Sequence, residues 1–441
     1  MKGIKTLFEV DVLVIGGGAA GTLAAVAAAR RNKKVLLVET KGALGGSRTC
    51  MGVDSFNGFY SPGQKTLQLV GGISFEVAEK LLNFESAFIR QNTFGSGPVV
   101  TYEIEQLKIL YEDIVTQAGA QLLYYTYAAD VERDKSLING VIISNKSGIN
   151  RVKSKIFIDA SGDLDIAARA GENYELAGEN ESPVQSLTTV FYMANVDNEK
   201  AFSLSQEERT RIMQKAKESG KYKLTRIGGS IHPTPNTGFV HANLTRIPNI
   251  NATDPQALTA AEMEGRKQVQ EYVHFLKNEY PGFENAYLAF TACNIGVRET
   301  RRLKGKYILT GEDVRQGAKF EDAVVCCSAP IEDHVSGTSV KWQYLEAGNY
   351  YQIPYSSLLP KKAKNLIVAG RCLSATHEGQ ASARNSAQCM AMGEAAGLAA
   401  ALCIEQHTAP GELEARLLQQ ELIKQGVLLV PIEIELERLI K

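Results

Sequence analysis

A chain of 441 residues is too long for one simple hydrophobic core, so two domains are the starting expectation. Hydrophobic residues make up 44% and charged residues 22%, a globular balance that excludes wholesale disorder. The 48 Lys and Arg are matched by 49 Asp and Glu, which leaves no basic excess for nucleic acid or an anionic membrane surface.

The seven cysteines are scattered without a CxxC pair or nearby histidines at zinc spacing, so neither a disulfide framework nor a metal site is expected. Free thiols point to a reducing, cytoplasmic setting.

In chain order, residues 11–15 (DVLVI) have the β-branched content of a buried parallel strand. Residues 12–29 carry no charge and reach the length of a membrane span. However, Glu9 and Asp11 precede the run, and Gly16, Gly17, Gly18 and Gly21 break it. The pattern reads as strand, turn and helix, the helix covering 19–31, and no span is expected. Residues 34–39 (KVLLVE) make a second buried strand, completing a βαβ unit of roughly the 30-residue size of a nucleotide-binding fold.

After a glycine-rich stretch at 41–63, helices are predicted at 75–84 and 104–118, and strands at 121–131, 139–145 and 155–158. From 182 to 350 the chain becomes more polar and is punctuated by prolines. A buried strand at 365–369 and a small-residue helix at 386–402 then return to the opening pattern. This predicts a discontinuous dinucleotide domain, 1–181 with 351–441, carrying an inserted α+β substrate domain at 182–350.

Gly16, Gly18 and Gly21 satisfy G-x-G-x-x-G between a strand and a helix. Gly16 permits the tight turn, Gly18 admits a pyrophosphate, and Gly21 lets helix and strand pack closely, with Ala19 and Ala20 opening the helix. Glu39, followed by Thr40, stands where an acid accepts bonds from an adenosine ribose. Gly45, Gly46, Ser47 and Arg48 give the chain a second run along an extended FAD. Ala129, in the 121–131 strand, is a further cofactor candidate. Ala160, Ser161, Gly162 and Asp163, in the D-A-S-G-D segment, resemble the A-T-G motif that ends a strand beside FAD in glutathione-reductase-type flavoproteins.

With these segments the chain resembles the FAD-dependent oxidoreductase family of the glutathione-reductase-type flavoprotein superfamily. The resemblance runs over nearly the whole chain, through TDPQALTAAEMEGR, YPGFENA, the GVRETRR segment, the IPY and LLP pairs, and NLIVAGR with ATH. It implies a Rossmann-like FAD domain with non-covalent FAD. Gly370 and Arg371 are expected at the ribityl chain, and Ser386, Ala387 and Gln388 at a helix N-terminus aimed at the flavin, where an anion is stabilised. The family's usual Asp-x-His reads Glu332-Asp333-His334 here, so either acid could partner His334.

Arg298 and Arg301 are candidates to hold a substrate carboxylate, or else belong to an Arg–Glu network between domains. His334 and His377 are the acid–base candidates, since removing hydride from a carbon next to O–H or N–H needs a base for the other proton. Tyr60, Tyr350 and Tyr351 read as walls. Cys50 stands alone, which excludes a CxxxxC redox centre.

The expected activity is hydride transfer between a small polar organic substrate and FAD. A flavin monooxygenase is the enzymatic alternative, disfavoured because Gly370-Arg371 replaces that group's Gly-Asp. A non-catalytic electron-relay subunit is the alternative outside enzymes, disfavoured by the lack of iron–sulfur cysteine runs. The glycine clusters at 71–72 and 228–229 do not complete a second fingerprint, so an external electron acceptor or donor replaces a nicotinamide domain. A homo-oligomer is compatible with this reading.

Overall fold

The first strand, Thr6–Ile15, ends in four apolar residues, Val12 to Ile15, that are at most 4% exposed. Side chains buried on both faces are the mark of a central parallel strand. In the computed structural model, which describes residues 3–63, 65–92, 94–179, 183–334 and 340–435, it sits inside a seven-stranded sheet. Val35–Val38 and Gln121–Leu123 extend the sheet in parallel on one side; Gly148–Asp159 and then Leu366–Val368 do so on the other. The antiparallel strands Leu137–Asn145 and Tyr127–Asp134 also join through Gly148–Asp159. The result is a Rossmann-like α/β fold.

The strand predicted over 121–131 is two strands. Tyr125 adopts a left-handed φ of 52°, which turns the chain between Gln121–Leu123 and Tyr127–Asp134. Gln121–Leu123 stays with the parallel set, and Tyr127–Asp134 pairs antiparallel with Leu137–Asn145.

Helix Ala19–Ala29 is buried over nearly its whole circumference. It can be, because its residues are mostly alanine and a second small-residue helix, Ser386–Gln406, lies directly on it. A Cβ built at Gly393 would sit 1.9 Å from the Ala20 carbonyl oxygen, and one at Gly397 2.1 Å from that of Ala24. Ser386–Gln406 is the one helix among the described residues long and apolar enough to cross a membrane, and 94% of its apolar window is buried inside the protein.

The insertion forms an antiparallel sheet in the order Ser230–Pro233, Val240–Asn243, Phe191–Ala194, Tyr287–Thr291. Helix Pro255–Glu279, capped by Asp254, shares a core with this sheet through Val269, Tyr272, Phe275 and Leu276. That separate core spans Phe191 to Ala286, whereas Leu309, Val314 and Val324 to Cys327 join the main core. Strand Ala323–Cys327 also pairs with Tyr351–Pro354 across the boundary drawn at 350, while the boundary at 181–182 lies outside the described residues.

Gly397→Val should push the two small-residue helices apart, because Ala24 backbone fills the space its side chain needs. The expected cost is at least about 1–3 kcal/mol, the usual overpacking range. A urea midpoint equal to that of the parent protein would show that these helices do not depend on backbone contact.

Candidate active-site cleft

At the end of the first strand Gly16 takes a φ of +96°, and a Cβ there would lie 2.5 Å from the Ala160 carbonyl oxygen. Gly21 is tighter still, its Cβ position falling 1.8 Å from Gly16 O. At Gly18 the same test meets nothing within 4 Å. Two glycines of the fingerprint therefore allow close packing, and the middle one borders open space. This cradle opens the helix Ala19–Ala29, whose first amides have no intrahelical partners and suit a phosphate.

Glu39 ends the adjacent strand with its carboxylate fixed: Oε2 accepts from Gly17 N at 2.7 Å, and Oε1 from Lys41 N at 2.8 Å. Gly45 N donates to Gly17 O at 2.7 Å, which lays the Gly46–Arg48 turn against the fingerprint. On the other flank, buried Asp159 accepts from Ser161 Oγ at 2.6 Å and from Ile166 and Ala167 amides, shaping the Ala160–Asp163 loop. Arg371 then pairs with Asp163 at 2.8 Å.

These segments line one cleft of about 810 Å³, inside the range of roughly 300–1,000 Å³ usual for ligand sites. The cleft brings together Gly16, Gly18, Ala19, Ala20, Glu39, Thr40, Gly46, Ser47, Arg48, Ala160 to Asp163, Gly370 and Arg371. An open glycine cradle, an oriented acid and a long cleft fit an extended FAD.

Other candidates stand apart from the cleft. Gly21 and Gly45 pack behind it, and Ala129 lies on an exposed stretch of strand beside Ala128, which does line it. Ser386, Ala387 and Gln388 are occupied by the protein itself. Asn57 caps their turn, donating its amide to Ser386 Oγ at 2.8 Å and accepting from Ala387 N at 3.1 Å. Gln388 Nε2 donates to Gly58 O at 2.8 Å, so Asn385 and Cys389 face the cleft instead.

Arg301 is also withdrawn, its Nη1 held by Asp163 O at 2.8 Å and Asp165 Oδ1 at 3.1 Å. His377 sits in a buried network, Nδ1 at 2.9 Å from Glu299 Oε2 and Nε2 at 3.4 Å from Asp333 Oδ1. Neither is among the residues that line the cleft.

Arg298 and His334 do reach the cleft. Glu332, not Asp333, is the acid on His334, 2.7 Å from Nε2. Burial, then the Arg298 charge, push the imidazole down to about 3, against the pull of Glu332. The ring is neutral. Cys326 and Cys327 are buried thiols, pushed up by burial to about 12 and about 11.

Among the cleft residues missed are Asp54, Arg226, His232, His241 and Arg384. Ser230 and His232, and across from them His241 and Asn243, project to the cleft, while Ile231 and Ala242 enter the insertion's core. That is the period of two of a strand with one face buried, present in the letters SIH and HAN. His232 bridges Ser230 Oγ at 2.8 Å and Asp54 Oδ1 at 2.9 Å. The ligand atoms of Asp54, His232 and His241 lie within 4.8 Å of one another. The two imidazoles, however, stack at 4.3 Å and 22°, so their in-plane lone pairs run nearly parallel and do not converge on one ion.

The family model for FAD dependent oxidoreductases matches residues 11–422. No curated protein matches the chain. A geranylgeranyl bacteriochlorophyll reductase-like protein from Thermoplasma acidophilum superposes with a TM-score of 0.50 at 14% identity, covering 95% of this chain and 84% of that one. An anhydrotetracycline hydroxylase from Streptomyces rimosus gives 0.47 at 10% identity, covering 95% and 66%. A flavin-dependent brominase gives 0.45 at 12%, covering 94% and 83%. The first likeness is one of fold.

Gly18→Val should fold, since its Cβ meets open space, yet retain no FAD, because the branched side chain occupies the pyrophosphate's position. Stoichiometric flavin in the purified variant would refute the cradle.

The acids around His377 give its charge a part in stability. Burial alone would lower its pKa, but Asp333 and Glu299 together raise it to about 9. A raised imidazole stabilises the fold fully below about pH 6.5, and that contribution fades as pH rises through about 9. His377→Gln should therefore lower the melting temperature at pH 6.5, with the gap to the parent closing near pH 10. A gap that is constant with pH would show that the charge contributes nothing.

Proposed function

The chain belongs to the FAD dependent oxidoreductase family, and from that premise we propose that it moves a hydride between a small polar organic substrate and its FAD, in the cleft between the Rossmann-like sheet and the inserted sheet. The observation that carries this reading is His334, its Nε2 2.7 Å from Glu332, on the same cleft as Arg298 and the dinucleotide cradle. FAD bound there supplies the two-electron carrier. We assign the fold of its cofactor domain to the glutathione-reductase type on the order of the three glycine-containing segments: the fingerprint, Gly45-Gly46, and Ala160 to Asp163.

The chain's own groups have separate tasks. Glu39 and the fingerprint hold the adenosine diphosphate end; Gly370 and Arg371 border the middle. With Nε2–H donated to Glu332, His334 presents Nδ1 as the acceptor for the proton that leaves as a C–H bond is oxidised; the reverse reaction returns it. Glu332 stays ionised in spite of burial because His334, Arg384 and Arg298 surround it. Arg298, anchored by Nη1 on Ser186 O at 2.6 Å, stabilises negative charge developing on the substrate. Burial is the larger brake on the proton affinity of His334 and the Arg298 charge the second, so a substrate that neutralises Arg298 lifts part of that brake. Binding thus prepares the base.

Electrons enter or leave through a diffusible or protein partner, since the sequence holds one dinucleotide fingerprint.

His334→Ala and Glu332→Gln should keep FAD yet slow its reduction by substrate about 10²–10⁴-fold. The substrate is found by anaerobic screening of small metabolites for bleaching near ~450 nm, the flavin band. Variants that bleach at the parent rate would remove His334 from the mechanism. Fast, saturable bleaching by NADH or NADPH would replace the external partner with a nicotinamide.

A further inference from the structure

Arg226, Arg298 and Arg384 reach the cleft from three separate parts of the chain. Among the described residues, Arg226 Nη1 donates to the Asn243 carbonyl oxygen at 3.5 Å, and Arg298 Nη1 to that of Ser186 at 2.6 Å. Nε and Nη2 of Arg384 are buried without a hydrogen-bond acceptor. Among the described residues, the one carboxylate ion-paired to any of the three is Glu332, 3.8 Å from Arg384 Nη2 and already bonded to His334.

The neighbouring acids are committed elsewhere. Glu299 is held by Arg302 and His377, and Asp333 by His377. Asp54 serves His232, and Asp163 serves Arg371. Among the described residues, three guanidinium charges against one ion-paired carboxylate leave two unanswered, and Arg246 adds a further like charge acting on Arg298. Like charges in a partly desolvated wall repel, and unpaired buried ions are costly. Burial, then Arg384 and Arg226, push the Arg298 guanidinium down to about 9. A site this charged is built for something that brings negative charge with it, because guanidinium forks bind carboxylate and phosphate groups in pairs.

We propose that this wall binds a small organic dianion, either a dicarboxylate or a phosphate monoester, with Arg298 and Arg226 as its principal partners and Arg384 completing the charge. This rests on the reading of the cleft as the substrate site and narrows the substrate class. Neutral molecules and amines would leave the repulsion in place, and a monoanion would answer half of it.

The test is isothermal titration calorimetry of the FAD-bound protein at pH 7.5 and constant ionic strength. The probes are succinate, glycerol 3-phosphate and butyrate. At least one dianion should bind saturably and about tenfold or more tighter than butyrate, the tighter of the two identifying the acid type. Arg226→Gln and Arg298→Gln should each weaken that binding at least tenfold while keeping flavin. Should either lose flavin, Arg384→Gln and the salt dependence of parent binding give the same reading, since charge pairing weakens as ionic strength rises. Dianions binding no tighter than butyrate, or unchanged by the substitutions and by salt, would overturn the proposal. Flavin bleaching by a neutral metabolite, without dianion preference, would overturn the dianion and leave hydride transfer standing. Dianion binding without bleaching by any screened metabolite would do the reverse.

Discussion

Backbone-to-backbone contact across glycine holds this cleft together. Gly21 lets the first helix lie against the end of the first strand, while Gly393 and Gly397 let the C-terminal helix rest on Ala20 and Ala24. Gly370 belongs to the same assembly, since a Cβ there would come within 3.0 Å of Ala20 Cβ. Chain segments more than three hundred residues apart are thereby fixed around one helix N-terminus. The Rossmann-like half is complete only when the C-terminal helix returns, so an insertion between its parts leaves the cradle undisturbed. At the far end of the same helix, Arg31 pairs with Glu405 at 2.6 Å and Glu421 at 3.0 Å, which fixes the angle of return.

The two ends of the cleft manage negative charge differently. At the cradle, the helix's free amides and glycine backbone would meet the cofactor, and the nearby acid Glu39 is itself pinned by backbone donors. A backbone-lined site has fixed geometry and little dependence on side-chain order. At the opposite end guanidinium groups from the insertion and from the segment before the C-terminal helix face a single glutamate. Such a wall depends on several elements being correctly placed. The network behind it provides this: Glu299 joins Arg302 and His377, and Thr300 donates to Asp163 at 2.7 Å. The cofactor loop and the charged wall therefore share partners.

How much of this the sequence disclosed depends on the range of the interaction. The fingerprint was legible because its requirements are local: a left-handed φ at Gly16, contact at Gly21 and open space at Gly18 follow from spacing along one strand–turn–helix unit. The segment from Arg298 to Arg302 was not. Its charges look equivalent in the sequence, yet Arg298 faces the cleft, Arg301 turns to Asp165, and Arg302 is fully buried against Glu299. Ser386 to Gln388 show the same limit, since what covers the first turn of their helix is Asn57, some 330 residues earlier. His232 and His241 were missed for another reason. Their strands are short and separated by proline-containing loops, so the alternation occupies only three or four residues on each.

The charged wall and the base are not independent parts. His334 is kept neutral first by burial and then by Arg298, while Glu332 pulls in the opposite direction. In the free protein burial and the Arg298 charge together outweigh Glu332, so the imidazole holds its lone pair but has little affinity for a proton. An acidic group seated on Arg298 would cancel the repulsion and leave the pull of Glu332. The same contact that orients the substrate would then raise the proton affinity of the group that must deprotonate it. In the proposed mechanism the Arg298 guanidinium thus links recognition to basicity, beside the larger effect of burial. It also gives Glu332 a double constraint. It must remain ionised to hold the imidazole in the right tautomer, and a second carboxylate beside it would answer one of the two remaining charges before any substrate arrived.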